Sequence, residues 1–288
     1  MSLAGKTLFL TGGSRGIGLA IALRAARDGA NIVIAAKTTE PHRVLKGTIY
    51  TAAEDIERTG GRALPLVLDV RDADAIESAV ARTMSHFGGI DICINNASAI
   101  DLAQSDRVTT ARFDLMHQIN VRGTFLTSRA CARHMVGRPN PHVLSLSPPL
   151  TMRADWFAQH LPYTLSKYGM SMVMLGMAQE FQSKGIAFNA LWPRTTIATA
   201  AVELKLGGAA MLRRSRRPEI MADAAYAMLQ KPAARYTGRF ELDEDVLRAE
   251  GITDFSIYRC DSAADLQADL FVDPAESSQG ESIHANPA

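Results

Sequence analysis

Thr11-Gly12-Gly13-Ser14-Arg15-Gly16-Ile17-Gly18 follows directly on a short apolar run, Lys6–Thr11, bounded by Gly5 and Gly12. The run reads as a fully buried parallel strand. A helical pattern continues beyond the glycines through Ala20–Asp28. Strand, glycine turn and helix form the context that a phosphate-binding loop requires. Gly12 lets the chain turn sharply, and Gly16 lets backbone approach a pyrophosphate. Gly18 lets helix and strand pack closely, and the free N–H groups at the helix start face the phosphates. An ordinary glycine turn is the competing reading. Three glycines at these offsets, straight after an N-terminal strand, favour a dinucleotide loop.

The same alternation runs along the chain. Further strands are expected at Asn31–Ala36, Ala63–Val70, Ile90–Asn95, His142–Ser147, Gly185–Trp192 and Gly238–Leu242. Helices are expected at Thr51–Arg58, Asp72–Phe87 with Asp72 near its N-cap, Ala111–Val136, Tyr163–Lys184 stopped by Gly185, Pro218–Gln230 and Asp243–Gly251. Pro148-Pro149 cannot continue a central strand. Strands alternating with helices imply a parallel sheet with right-handed crossovers. The expectation is one α/β domain of Rossmann type, doubly wound, over residues 1–272, with a substrate-side loop at about 194–217. Thr38–Tyr50 is an irregular insertion, Ile252–Val272 is weakly patterned, and 273–288 reads as a disordered tail.

The chain has 288 residues, 47% of them hydrophobic, enough for one large core. A net charge of +1 gives no drive toward nucleic acid or membrane. Arg213-Arg214-Ser215-Arg216-Arg217 reads as a solvated surface near Glu219, with an anion-binding patch as the alternative. Cys93, Cys131 and Cys260 are odd in number and lie in or near apolar runs, which suits reduced, buried thiols in a cytoplasmic protein. No signal-peptide pattern, membrane-length apolar stretch or metal-ligand spacing is evident.

Past the second strand, dinucleotide folds read the adenosine ribose. Ala36 and Lys37 stand there, with Arg15 in the glycine loop. Two cations and no carboxylate suit a 2′-phosphate, hence NADP(H). A plain surface lysine at position 37 is the other reading. Tyr163-Thr164-Leu165-Ser166-Lys167 places a phenol and an ammonium one helical turn apart. A free tyrosine titrates near 10, and lowering that by about 3 units takes roughly 4 kcal/mol. A lysine and an oxidised nicotinamide together could supply it, giving an acid/base for a carbonyl or alcohol. Asn120, mid-helix with Gly123 close by, signals a local distortion of the helix. The helix from Tyr163 is apolar nearly all round, which suits either a homo-oligomer interface or a deeply buried monomer helix.

Thr11–Gly18, Asn95-Asn96-Ala97-Ser98, Asn120 and Tyr163–Lys167 together resemble the short-chain dehydrogenase/reductase family, in order and spacing, over roughly Leu3–Leu242. The resemblance implies a seven-stranded parallel sheet in the order 3-2-1-4-5-6-7 and dimers or tetramers built on the two long helices. It implies hydride transfer between NADP(H) and a small-molecule carbonyl or alcohol. Tyr163 is matched to the acid/base, Lys167 to the residue that holds the nicotinamide ribose and tunes the phenol, and Asn120 to the residue that positions a relay water. Gly12, Ser14, Arg15, Gly16, Ile17 and Gly18 would line the phosphates and ribose. Asp69 and Val70 would touch adenine, and Asn95 and Ala97 its ribose. Pro193, Thr195, Ile197 and Thr199 would flank the nicotinamide.

One position departs from the family pattern. At the usual spacing before the tyrosine stands Leu150, and aligned on the strand end the catalytic serine becomes Pro148, which has no hydroxyl. Ser147 is adjacent, but on a regular strand it points to the other face. Either the Pro-Pro step brings Ser147 back as a substitute or the serine is absent. The substrate pocket is expected around Ser98–Asp101, Pro148–Trp156 and Thr195–Arg217, with Trp156, Phe157, Leu206 and Met211 suiting a fatty, acyl or steroid-like compound. An epimerase or dehydratase on the same scaffold, and a non-catalytic NADPH-binding sensor, are the alternative functions.

Overall fold

The computed structural model describes residues 2–41, 47–273 and the backbone of 283–284. The elements follow in order: β1 (Thr7–Thr11), α1 (Gly16–Ala26), β2 (Asn31–Ala36), α2 (Ile49–Arg58), β3 (Arg62–Val67), α3 (Ala73–Phe87) and β4 (Ile92–Asn95). Next come α4 (Thr110–Met116), a π-helical stretch at His117–Gly123, α5 (Thr124–Met135), β5 (His142–Ser145), α6 (Ala154–Ala158), α7 (Leu161–Glu180) and β6 (Ala187–Trp192). The remainder is α8 (Ala200–Val202), a second π-helical stretch at Glu203–Gly207, α9 (Gly208–Arg213), α10 (Glu219–Leu229), β7 (Phe240–Leu242) and α11 (Asp243–Ala249).

The seven strands form one parallel sheet in the order β3-β2-β1-β4-β5-β6-β7. This is the expected doubly wound Rossmann-type arrangement. Strand alternation explains why both faces are covered. Leu8, Leu10, Ile32, Ile34, Ile92, Ile94 and Leu144 join a core with residues of α1, α2, α10 and α11. Their strand neighbours Phe9, Val33, Cys93, Val143 and Phe188 join a second core with α3, α5 and α7. With a period of two, the central strands β1, β2, β4, β5 and β6 feed both cores, and so read as continuous apolar runs. Each fully buried Leu or Ile contributes about 1.5–3 kcal/mol. The strand order reverses between β1 and β4, and the crevice at their carboxyl ends is where such sheets bind ligands.

Local signals behave as their chemistry requires. Thr48 and Thr51 form a reciprocal capping box at the start of α2. The Asp72 carboxylate accepts the Asp74 and Ala75 N–H groups at the start of α3. Gly185 takes the left-handed conformation (φ 68°) that ends the turn after α7. The distortion expected at Asn120 is the π-helical stretch between α4 and α5.

Several expectations need correction. β5 stops at Ser145, ahead of Pro148-Pro149, and β3 stops at Val67, leaving Asp69 and Val70 in the loop beyond it. The arginine run is not a solvated face. Arg216 is fully buried and pairs with Glu244, while Arg213 and Arg217 are exposed. Cys93 and Cys131 are buried, but Cys260 is exposed. The weakly patterned Ile252–Val272 is nonetheless packed, with Phe255, Tyr258, Leu266, Ala268, Leu270, Phe271 and Val272 all buried. It is stitched to the loop after β6, with Cys260 N–H donating to Ser215 O and Gln267 N–H to Arg214 O. The tail expected to be disordered (273–288) lies outside the described residues, except for Asp273 and 283–284. Asp273 pairs with Arg153, and Ile283–His284 (β9) runs parallel to Leu266–Gln267 (β8).

Candidate functional site

A cavity of about 1150 Å³ lies at the carboxyl ends of the strands. The glycine loop forms its floor with Gly12, Ser14, Arg15, Gly16 and Ile17. Gly12 and Gly16 have φ of +72° and +57°, conformations that a Cβ would strain. A Cβ on Gly12 would also stand 2.9 Å from the Ala97 Cα and from the Asn96 amide. Arg15 is held from below, its guanidinium donating to Gly47 O at 2.7 Å. A Cβ on Gly47 would lie 2.6 Å from Ser14 O, so the described end of the 38–50 insertion packs on this loop. Residues 42–46 lie outside the described residues. Lys37, exposed at the end of β2, and Asp69 and Val70 after β3 complete the far wall.

The near wall carries the phenol and the amine. Tyr163 and Lys167 sit one turn apart near the start of α7 and both line the cavity. They are 4% and 3% exposed. Lys167 Nζ donates to Leu146 O at 2.8 Å and lies 5.0 Å from the Trp192 ring centre. The Tyr163 ring stacks on Phe271, with centres 6.2 Å apart and planes 26° from parallel. No hydrogen bond from a described residue reaches its hydroxyl. Burial pushes the phenol well above its ordinary range, and the charge of Asp269 adds to that. Burial pushes Lys167 down to about 7, opposed by the Asp269 charge. Without the charge of an oxidised nicotinamide, burial outweighs the lysine at the phenol. The phenol is held as a neutral acid.

Asn120 sits in the π-helical stretch and spans from the loop after β4 to α7. Its Oδ1 accepts the Ala99 N–H at 2.8 Å, and its Nδ2 donates to Ala99 O and to Ser166 Oγ, both at 2.9 Å. Ser166 is the neighbour of Lys167. The amide thereby fixes α7 against the loop that borders the cavity.

The short chain dehydrogenase family model matches residues 6–205. The chain belongs to the short-chain dehydrogenase/reductase family. Within it, the chain is 54% identical to hydroxysteroid dehydrogenase-like protein 2 of Danio rerio over 271 residues, covering 94% of this chain and 65% of that protein. The chain thus spans about two thirds of that relative's length. Among solved structures it is similar to a putative dehydrogenase from Xanthomonas campestris, with a TM-score of 0.92 and 51% identity, covering 95% of this chain and all of the other. A short chain dehydrogenase from Mycobacterium thermoresistibile matches with a TM-score of 0.90 and 56% identity, covering 94% and 96% of the two chains. Members of this oxidoreductase family use NAD or NADP.

Most catalytic and cofactor-binding residues singled out in the sequence converge on the cavity: Gly12, Ser14, Arg15, Gly16, Ile17, Lys37, Asp69, Val70, Ala97, Tyr163, Lys167, Pro193, Ile197 and Thr199. Five of these catalytic and cofactor candidates do not line it, and neither does Met211, expected in the substrate pocket but buried elsewhere. Gly18 supports the loop from behind, where a Cβ would stand 2.6 Å from the Asn96 amide and 2.7 Å from Gly12 O. Asn95 ends β4 buried, its Nδ2 donating to Ser128 Oγ at 2.8 Å. Its neighbour Asn96, not singled out before, lines the cavity and donates to Thr11 O and Gly12 O. Only the strand register separates the two asparagines, because β4 pairs Asn95 with Thr11. Thr195 is fully buried and bridges Ala268. Asn120 acts through Ala99 and Ser166. Ser147 is the fifth.

Ser147 is fully buried, and its Oγ has no hydrogen-bond partner among the described residues. Leu146, not Ser147, borders the cavity. The Pro-Pro step does not turn the hydroxyl toward Tyr163. Instead Pro148 O accepts the Ser171 hydroxyl of α7 at 2.6 Å, tying the segment to that helix. Trp156 and Phe157 also fall outside the cavity, in an apolar cluster behind Tyr163 with Tyr168, Trp192 and Phe271. Asp269 and Leu270 line the cavity, although nothing in the sequence pattern marked them.

Proposed function

We propose that the chain interconverts a carbonyl compound and an alcohol with NADP(H), using Tyr163 as the acid/base. The observation that carries the proposal is that one cavity joins the glycine loop to Tyr163 and Lys167. The fit to a dinucleotide rests on Gly12 and Gly16, whose side-chain-free backbone leaves a cradle that a Cβ would strain. When bound, the nicotinamide supplies or accepts the hydride. The chain's own work is to hold, orient and move a proton. Tyr163 donates its hydroxyl proton to the substrate oxygen during reduction, and the high pKa that burial imposes keeps it in that form. Lys167 and the Asn120–Ser166 contact fix α7 so that the phenol faces the cavity. Ile100, Trp192, Leu204, Leu206 and Leu270 give the substrate end an apolar wall, which supports a lipophilic substrate.

Arg15 and Lys37 would grip the 2′-phosphate of NADP(H). Lys37→Asp is expected to weaken NADPH binding by about 10- to 100-fold, the worth of a charge-assisted contact. NADH binding should stay level or improve, as cofactor titrations by fluorescence would show. Equal losses for both cofactors would mean that Lys37 does not read the 2′-phosphate. Ser147→Ala tests the missing serine. Turnover is expected to stay within about twofold, and thermal stability to hold or rise slightly, because the change removes an unpaired buried hydroxyl. A loss of about a hundredfold would mean that Ser147 enters the site during catalysis.

The sequestered Ser147 also favours a second reading, a sensor that binds NADPH without turnover. A carbonyl panel with bound NADPH separates the two, since a sensor would consume no cofactor on any member. Among the described residues no helix is long and apolar enough to cross a membrane. Three free cysteines are in keeping with a reducing compartment such as the cytoplasm. Exposed Leu165, Met172 and Leu175 on α7 and Phe125 on α5 support a homodimer or homotetramer through the two long helices.

A further inference from the structure

The family match ends at residue 205, yet one wall of the cavity comes from the segment after α11. Leu266–Val272 runs along the loop that follows β6. Thr196 N–H donates to Gln267 O at 2.9 Å, Thr195 bridges Ala268, and Asp269 N–H donates to Arg194 O at 3.0 Å. The Trp192 indole N–H donates to Leu270 O at 2.7 Å. Phe271 takes a left-handed φ of 67°, costly for a bulky residue. The aromatic packing holds it there, with ring centres 5.6 Å from Tyr168, 5.8 Å from Trp192 and 6.2 Å from Tyr163. These contacts set the position of Asp269, which lines the cavity with Tyr163, Lys167 and Trp192. Its Oδ1 accepts the Leu270 N–H at 2.7 Å, and it forms no ion pair with a described residue. A carboxyl with spare acceptor capacity, lining the same cavity as a buried amine, calls for an explanation.

We infer that Asp269 is a positioning residue for the Tyr163–Lys167 pair, its carboxylate acting as the counter-charge that keeps the Lys167 ammonium protonated inside the cavity. The inference rests on the reading of Tyr163 and Lys167 proposed above. Burial brings the amine down and the carboxyl up, and with the other's charge already opposing the shift each stands at about 7. Each opposes that shift in the other, as opposite charges do. The remaining groups facing Asp269 are the Tyr163 phenol, the Asp243 carboxyl at the start of α11, which pushes it up, and Arg194, whose guanidinium pairs with Glu244 and Asp245. Lys167 is thus the cation that acts on it. A neutral lysine could neither favour a phenolate nor attract the cofactor by charge.

Asp269→Asn removes the charge while keeping an acceptor for the Leu270 N–H, and Asp269→Glu keeps the charge. Lys167 can be titrated directly in the cofactor-free protein by competitive acetylation with trace acetic anhydride, read by mass spectrometry across neutral and alkaline pH. The Asn variant is expected to move the Lys167 midpoint down by about one pH unit, and the Glu variant to leave it near the wild-type value. The alkaline limb of NADPH-dependent reduction of 9,10-phenanthrenequinone should move the same way. An unmoved Lys167 midpoint in a normally folded Asn variant overturns the inference. Should that variant fail to accumulate, Asp269→Ser reads the same shift. Failure of the underlying reading looks different, because turnover would then survive Tyr163→Phe while the acetylation midpoint still reported on the charge pair.

Discussion

Tyr163→Phe is expected to cut carbonyl turnover by about 10²–10⁴-fold, the usual worth of a positioned general acid. NADPH binding and thermal stability should change little. The variant isolates the hydroxyl because the ring itself is structural. It stacks on Phe271 and belongs to the apolar cluster with Tyr168 and Trp192, and phenylalanine preserves that packing. The hydroxyl accepts and donates nothing within the described protein, so its removal leaves no orphaned partner. The measurement is steady-state reduction of a carbonyl probe alongside NADPH titration. Turnover unchanged in the variant would remove Tyr163 from the chemistry.

The direction of the Tyr163 shift adds a pH expectation. A phenol raised by burial and by the Asp269 charge stays protonated through neutral pH, so the proton that reduction consumes is in place. Oxidation needs the opposite form. It must wait for alkaline pH or for positive charge that arrives with the oxidised cofactor. Reduction should therefore hold across neutral pH while oxidation climbs toward alkaline pH, and both dependences should vanish with the hydroxyl.

The order of the sheet was legible because buried parallel strands and glycine punctuation leave strong local marks. Lys6–Gly18 alone locates the crevice, and the Tyr163/Lys167 spacing locates the proposed acid. Asn120 was legible as a misfit, since an asparagine buried inside a helix needs a reason, and the π-helical stretch supplies one. Asn95 and Asn96 were not separable, because one residue of register decides which side chain enters the cavity and which enters the core. Ser147 was ambiguous for a related reason. The alternation rule pointed it away from the site, and only the geometry after the prolines shows that the rule holds. Asp269 and Phe271 left no mark at all. Their segment has neither strand nor helix periodicity, and it takes its place through contacts with residues far back in the chain.

Arg216→Met is expected to cost about 3–5 kcal/mol, the penalty for leaving one member of a buried ion pair behind. That is a large share of the roughly 5–15 kcal/mol that holds a typical fold together. Arg216 has no exposed surface, and its guanidinium pairs with Glu244 and lies 5.3 Å from the Phe255 ring centre. Glu244 also faces Arg194 at 3.7 Å and Arg248 at 3.2 Å, so one buried carboxylate gathers three arginines. Two of them belong to the loop after β6, the third to α11. The Arg216 backbone bonds Thr196 and Ala198 within that loop, which also holds Ile197 and Thr199 at the cavity wall. Methionine keeps much of the volume but removes the charge, so Glu244 is left with less compensation than its burial demands. Thermal melts should fall sharply, and NADPH affinity should fall with them because the loop loses its anchor. The double variant Arg216→Met/Glu244→Leu should recover much of the melting temperature, since replacing a whole buried pair by apolar groups is often neutral. If the single variant melted like the wild type, the buried charges would be incidental to the loop. If the double variant failed to recover, the guanidinium's packing on Phe255 would be the larger contribution. A sharp loss in the single variant with recovery in the double one would mean that charge holds the loop shaping the substrate end, whereas loss without recovery would mean that packing on Phe255 holds it, in a core separate from the cluster of Phe271 and Tyr163.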